Sequence, residues 1–346
     1  MDDFAKQRAT DRAELFRIVA AQRGFNPAIV EKDFWVCWTL KRLFALDDPP
    51  AGLLFKGGTS LSKVFKVIER FSEDIDLSFD RSGLGFSGNA DPLTATTGKK
   101  RQRALKALSE TCRKVIHETF LPRLRATFEA ALDHAHAQRW SLELAGDDPD
   151  QQTIVFQYPV SVGPRPANEP AYIRPMVRLE LGARSEHWPV IEATVTPFVA
   201  EDFPKLFFAP HCVVRALSAE RTFWEKVTAL HAWHHAPAGK ALGDRYSRHF
   251  YDVVCLYETE VGRPAIKNTE LLLKVAEHKA VFFASAWANY DQARPGTLRL
   301  VPPDSRLGEL RQDYQSMREM IFGDPPTFER LLDVLHEIEI AVNASS

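Results

Sequence analysis

FKGGTSLSKVFKVIERFSEDIDLSFD, residues 55–80, carries the pattern that decides the fold. The short apolar run LLF at 53–55 stops at Gly57-Gly58, which predicts a strand entering a turn. LSKVFKVIERF (61–71) then has helical spacing, and DIDLSFD (74–80) alternates like a half-buried strand. On a strand, Asp74 and Asp76 face the same side, with their positions about 7 Å apart. Two like charges so placed repel each other, and a divalent cation between them removes the conflict. Mg²⁺ suits that role because it takes a few carboxylates together with water and substrate phosphates. Upstream, Gly57 and Gly58 let backbone N–H groups approach a phosphate with no Cβ in the way. Thr59 and Ser60 add hydroxyl donors at the start of the following helix. The P-loop spacing is absent. Strand, Gly-Gly turn, helix and Asp-x-Asp strand, in that order, predict a phosphate-handling metal site.

Composition sets the surroundings. With 346 residues, 45% hydrophobic and 26% charged, the chain has the make-up of a globular protein with material for a sizeable core. A formal net charge of −2 means that the chain as a whole is not a polycation. No apolar run is long enough to span a membrane, and the charged, amphipathic start MDDFAKQRATDRAELF is unlike a signal peptide, so the expected location is cytoplasmic with no membrane partner. Cys37, Cys112, Cys212 and Cys255 lie far apart and form neither a zinc motif nor a disulfide framework.

Along the chain, 5–22 and 28–46 read as helices, the second with Asn26 as cap and Pro27 in the first turn. Residues 82–98 read as a flexible loop, and 99–139 as one long helix with a possible break at Pro122. Strand patterns follow at WSLELA, QTIVFQYPV, YIRPMVRLELGA and HWPVIEATVTPFV, and the four prolines of 163–175 predict an extended connection. After Pro210 the patterns are helical. The expectation is an α+β fold: a mixed sheet flanked by helices over residues 1–210, then a helical C-terminal domain over 211–346.

Five blocks carry a resemblance: EKDFWV (31–36), FKGGTSLSK (55–63), RFSEDIDLSF (70–79), EKVTAL (225–230) and RHFYDV (248–253). A strand ending in Gly-Gly-[Ser/Thr], a helix and an Asp-x-Asp strand resemble the DNA polymerase β-like nucleotidyltransferase superfamily. In their order the blocks look like the AbiEii/AbiGii toxin family, MenT-like toxins among them. Two features depart from the pattern. The gap from Gly58 to Asp74 is slightly long, and His249 stands where many members have an acid.

The resemblance implies transfer of a nucleoside monophosphate from an NTP to an acceptor, with Mg²⁺ or Mn²⁺ as cofactor. Gly57, Gly58 and Thr59 would hold the triphosphate, with Lys56, Ser60, Lys63 and Arg70 nearby, and Asp74 and Asp76 the metal. The third carboxylate of the superfamily would be Glu180, the one acid in VRLELGAR, where alternation puts Arg178, Glu180 and Gly182 on one face. Lys226 would reach the triphosphate, so the helical domain contributes to the active site. Asp252 would orient Lys226 or Arg248, or act as a base. A cognate antitoxin would be a partner.

Residues 99–125 hold nine Lys or Arg against Glu110 and Glu118. Lys99, Lys100, Arg101, Arg103, Lys106, Arg113 and Lys114 form a cationic stripe of the kind that binds nucleic-acid backbones. With the family's tRNA-modifying members in view, the expected acceptor is RNA, the tRNA 3′ end first, with blocked translation and growth arrest as the result. Transfer to a protein hydroxyl is one alternative, and a non-catalytic NTP-binding regulatory module is another. His231, His234 and His235 cluster on one helix but lack the acid of a metalloprotease motif.

Overall fold

In the computed structural model, which describes residues 1–46, 49, 51–136, 140–163, 173–243 and 245–344, the chain divides into two compact units. One comprises residues 1–64, 72–91 and 106–216; the other comprises 65–71, 92–105 and 217–346. Among the described residues, no helix is long and apolar enough to cross a membrane.

The first unit is built on seven strands: β1 (Leu53–Lys56), β2 (Asp74–Phe79), β3 (Ser141–Leu144), β4 (Thr153–Gln157), β5 (Met176–Gly182), β6 (Val190–Val195) and β7 (Cys212–Leu217). Their order is β3-β4-β5-β2-β1-β7-β6. The β1/β2, β3/β4 and β4/β5 pairs are antiparallel, while β2/β5 and β1/β7 are parallel, so the sheet is mixed. β7 lies in the stretch expected to be helical. Its alternation is partly hidden because Val213 is exposed while Cys212, Val214 and Ala216 are buried.

One face of this sheet is the core. Ile75, Leu77, Val177, Leu179, Ile154 and Phe156 point to it and are buried. Helix Pro27–Phe44 covers that face, opened by the Asn26 side chain, which accepts from the Ala28 N–H at 2.9 Å, with Pro27 in the first turn. Its Trp38 lies 5.7 Å from the Phe156 ring and 4.8 Å from that of Phe128, and such aromatic contacts add to the area buried. The opposite face is left to the polar residues of β2 and β5.

Three further expectations change. The first helix is split into Asp2–Ala5 and Ala9–Arg23. The helix after the Gly-Gly turn ends at Phe65, its last turn a wide π-helix, and Lys66 turns to a positive φ of 54°. The segment beyond is pulled away by long-range bonds, with the Phe71 N–H on Met320 O at 2.7 Å and the Phe322 N–H on Glu69 O at 2.8 Å. The loop after β2 is clasped by Arg81, which pairs with Asp91 at 3.0 Å and with Glu186. The long helix runs from Gly98 to His136 with a π-turn, Ile116–Phe120, just before Pro122. A widened turn suits a proline, whose ring crowds the preceding turn. The proline-rich connection falls mostly on residues 164–172, outside the described residues.

The second unit is helical, with Ala219–His234, Arg248–Tyr257, Thr269–Phe282, Asp304–Ser316 and Phe328–Asn343 as its longer elements. Ser218, Asn268 and Thr327 cap three of them through their side chains.

Candidate active site

The Gly-Gly turn and the paired aspartates meet. Gly57 has φ +77°, and a Cβ placed on it would lie 1.9 Å from Asp76 Oδ2 and 2.5 Å from its Cγ. The carboxylate occupies the space that any other residue at 57 would fill, so the glycine is required on two counts, conformation and close approach.

Strand register then aligns the charged residues. Lys56 pairs with Asp76 across β1/β2, and Asp76 with Glu180 across β2/β5. Adjacent strands are about 4.8 Å apart, so Lys56, Asp76 and Glu180 form one row on one face, with Asp74 beside Arg178 in the next row. Glu180 is exposed, and Asp74 and Asp76 are half-buried. Among the described residues, no three His, Cys, Asp or Glu side chains gather closely enough to hold a metal ion unaided.

The hydroxyls of the turn have a different task from the one expected. Thr59 is 1% exposed, and its Oγ1 donates to the Asp74 carbonyl and lies 3.0 Å from Ser72 Oγ. Ser60, fully buried, donates to Gly57 O at 3.0 Å. Thr59 ties the turn to the start of β2, and Ser60 closes the turn on itself. Thr59→Val is therefore expected to cost about 1–2 kcal/mol through loss of the buried bond to the Asp74 carbonyl, with Thr59→Ser restoring most of it, as read from urea unfolding midpoints.

Lys63 also turns inward. It is 8% exposed, and its Nζ meets Asp33 Oδ1 at 2.6 Å and the Phe198 ring at 3.9 Å. Asp33 further accepts the Phe198 N–H at 2.7 Å. Its neighbours in the helix act alike. Lys32 pairs with Glu73 at 2.5 Å, directly before Asp74, and Glu31 accepts the Ser161 N–H at 2.6 Å. Sequence reasoning missed these struts. Their signal is three consecutive charges, Glu31-Lys32-Asp33, between the apolar pairs Ile29-Val30 and Phe34-Trp35, where they cannot all reach water.

In the helical unit, Asp252 is fully buried. Arg70 grips it with two bonds, Nε at 2.7 Å and Nη2 at 2.8 Å, and Lys226 Nζ adds a third at 2.8 Å. Burial alone would raise the Asp252 carboxyl, but the Arg70 and Lys226 charges outweigh it and hold it far below the usual range. A carboxylate so held is a poor base, so its expected role as a base gives way to that of anchor. Burial lowers the Lys226 ammonium, and the Arg70 and Arg248 charges add to the effect against Asp252. His249 Nδ1 lies 3.5 Å from Lys226 Nζ, and burial beside that cation keeps the imidazole neutral. His231 is structural. It accepts the Arg299 N–H at 3.1 Å, meets Asn289 O at 3.0 Å, and is lowered to about 4 by burial.

Of the basic stripe, Lys99, Lys100, Arg103, Lys106, Arg113 and Lys114 are exposed, and Arg101 is half-buried. Lys106 and Lys114 have loose partners in Glu110 and Glu118, each at 3.8 Å.

The chain is similar to known proteins in two ways. The family model of the nucleotidyl transferase AbiEii toxin, type IV TA system, matches residues 38–334. Among solved structures, the fold resembles MenT4, a nucleotidyltransferase toxin from Mycobacterium tuberculosis H37Rv, with a TM-score of 0.51 and 16% identity over 94% of this chain and 89% of that one. No curated protein matches the sequence. A match over most of the length, on a mixed sheet bearing the Gly-Gly turn and its aspartates, shows that this chain belongs to the AbiEii nucleotidyltransferase toxin family of type IV toxin–antitoxin systems.

Proposed function

We propose that the chain transfers a nucleoside monophosphate from an NTP to an RNA acceptor, the tRNA 3′ end first, and thereby blocks translation and arrests growth. Family membership makes it a transferase with an NTP substrate and an antitoxin as partner. The observation that supports the finer reading is the close approach of the Asp76 carboxylate to Gly57, which would put a turn able to hold phosphate beside an acid able to hold a metal ion.

Asp74, Asp76 and Glu180 fit Mg²⁺ or Mn²⁺. They are hard oxygen donors sharing one sheet face, and Mg²⁺ needs only one or two carboxylates when substrate phosphates and water complete its shell. An open set is therefore suitable where a closed cage is not required. When bound, the ion would neutralise charge on the phosphates and lower the pKa of the acceptor hydroxyl. Gly57 and Gly58 would hold the triphosphate, with Lys56 beside them. The acceptor oxygen bonds to the α-phosphorus as the α–β anhydride bond breaks. Pyrophosphate leaves with the electron pair, and the hydroxyl proton passes to water. The exposed residues of the stripe from Lys99 to Lys114 support a polynucleotide acceptor.

The test incubates the full chain with each α-labelled NTP, Mg²⁺ and total tRNA, beside Asp76→Asn. Label is expected in tRNA from one or two of the NTPs, with wild type only, and it disappears on chelation. Label on protein instead moves the acceptor to a side chain. Bound NTP with no label anywhere overturns the transfer reading.

A further inference from the structure

In-line displacement fixes a direction. The attacking oxygen and the departing pyrophosphate lie on opposite sides of the α-phosphorus. In the sheet order β3-β4-β5-β2-β1, the Gly-Gly turn follows β1, on one side of the β2 aspartates. With the triphosphate on that turn, the acceptor comes from the other side, over β5, β4 and β3.

A hollow of about 290 Å³ opens there. It is lined by Arg174, Arg178, Glu143, Asp147, Gln157 and Val155, among others. It shares the face of the aspartates, because Asp74, Arg178, Val155 and Glu143 form one register row across β2, β5, β4 and β3. We propose that this hollow holds the terminal nucleotide of the acceptor RNA, in the position that presents its hydroxyl to the carboxylate row; this rests on the transfer reading above.

The lining chemistry favours a nucleotide over a bare run of phosphates. Two guanidiniums are balanced by two carboxylates. Arginine planes stack on bases or hold a phosphate, while carboxylates and the Gln157 amide accept from ribose 2′-hydroxyl and base amino groups. Both arginines are available. Arg174 is exposed, and among the described residues its guanidinium has no ion-pair partner. Arg178 meets Asp147 at 3.1 Å, but Asp147 is 65% exposed, and so open a pair yields readily to a phosphate.

The experiment measures KM for tRNA and KM for the NTP separately in the full chain. Arg174→Ala/Arg178→Ala removes the guanidiniums, and Val155→Trp fills the hollow without touching a charge. Either variant is expected to raise KM for tRNA about tenfold while leaving KM for the NTP within about twofold of wild type. As a second readout, tRNA ending in 4-thiouridine should photocross-link to the peptide holding Gln157 or Met176 in wild type and not in Val155→Trp. Unchanged KM for tRNA, a rise in KM for the NTP alone, or cross-links elsewhere overturn the assignment while transfer to RNA stands. Wild type that labels no RNA overturns both.

Discussion

Gly57→Ala is expected to abolish nucleotidyl transfer and to destabilise the fold by about 3 kcal/mol, two effects with one cause. The backbone at 57 has φ +77°, where an L-residue with a Cβ is strained by roughly 1–2 kcal/mol. The new methyl would also lie 1.9 Å from Asp76 Oδ2 and 2.9 Å from its Cβ, so the carboxylate or the turn must move. Either shift separates the triphosphate turn from the proposed metal ligand. Losing several kcal/mol of transition-state charge stabilisation corresponds to about a thousandfold or more in rate. Gly24→Ala is the matching control, since Gly24 has φ +69° with nothing within 4 Å of the added Cβ. It should lose about 1 kcal/mol for the backbone alone and keep its transfer rate. Labelled-NTP transfer and urea unfolding on the same preparations read both quantities. A Gly57→Ala protein that transfers at the wild-type rate per folded molecule would remove Asp76 from the reaction.

Much of this site is legible because it is local. The strand–turn–strand pattern of 55–80 depends on alternation and on two glycines, and both sheet strands form where that pattern puts them. The face on which Glu180 lies follows from the period of two in VRLELGAR, and its register opposite Asp76 agrees with that, while its proposed role comes from the family resemblance. Side-chain destinations were not legible in the same way. Lys63, Arg70 and Thr59 sit close to the turn in sequence and read as phosphate contacts. Lys63 and Arg70 are instead neutralised by Asp33 and Asp252, thirty and 182 positions away, and the Thr59 hydroxyl is used on the Asp74 carbonyl. Sequence spacing states which groups are neighbours along the chain, whereas the pairing of a buried charge depends on what the fold brings to it. The helical pattern of 61–71 fails for the same reason. Turning Arg70 toward Asp252, and bonding Phe71 to Met320, outweighs the modest intrinsic helix propensity of residues 66–71.

Asp252→Asn is expected to remove about 3–5 kcal/mol of stability at neutral pH, because it leaves Arg70 and Lys226 buried with no counter-charge. Arg70 and Asp252 are 3% and 0% exposed, so water offers little compensation. The acid dependence follows from the direction of the shift. The Asp252 carboxyl is lowered in the folded state, and in the unfolded chain it titrates near its ordinary value of about 3.9. Its contribution is thus fully present above that value and is lost as pH falls toward the lower folded value. The gap between wild type and Asp252→Asn, measured as urea midpoints across pH, should be constant from neutral pH to about 5 and narrow below about 4. Adding Lys226→Met to Asp252→Asn should recover part of the loss, since only Arg70 then remains unpaired, and a double-mutant cycle measures that coupling directly. A gap of under about 1 kcal/mol at neutral pH would mean that Asp252 is not the anchor of Arg70 and Lys226, because a carboxylate with three buried charge-assisted bonds cannot be neutralised so cheaply.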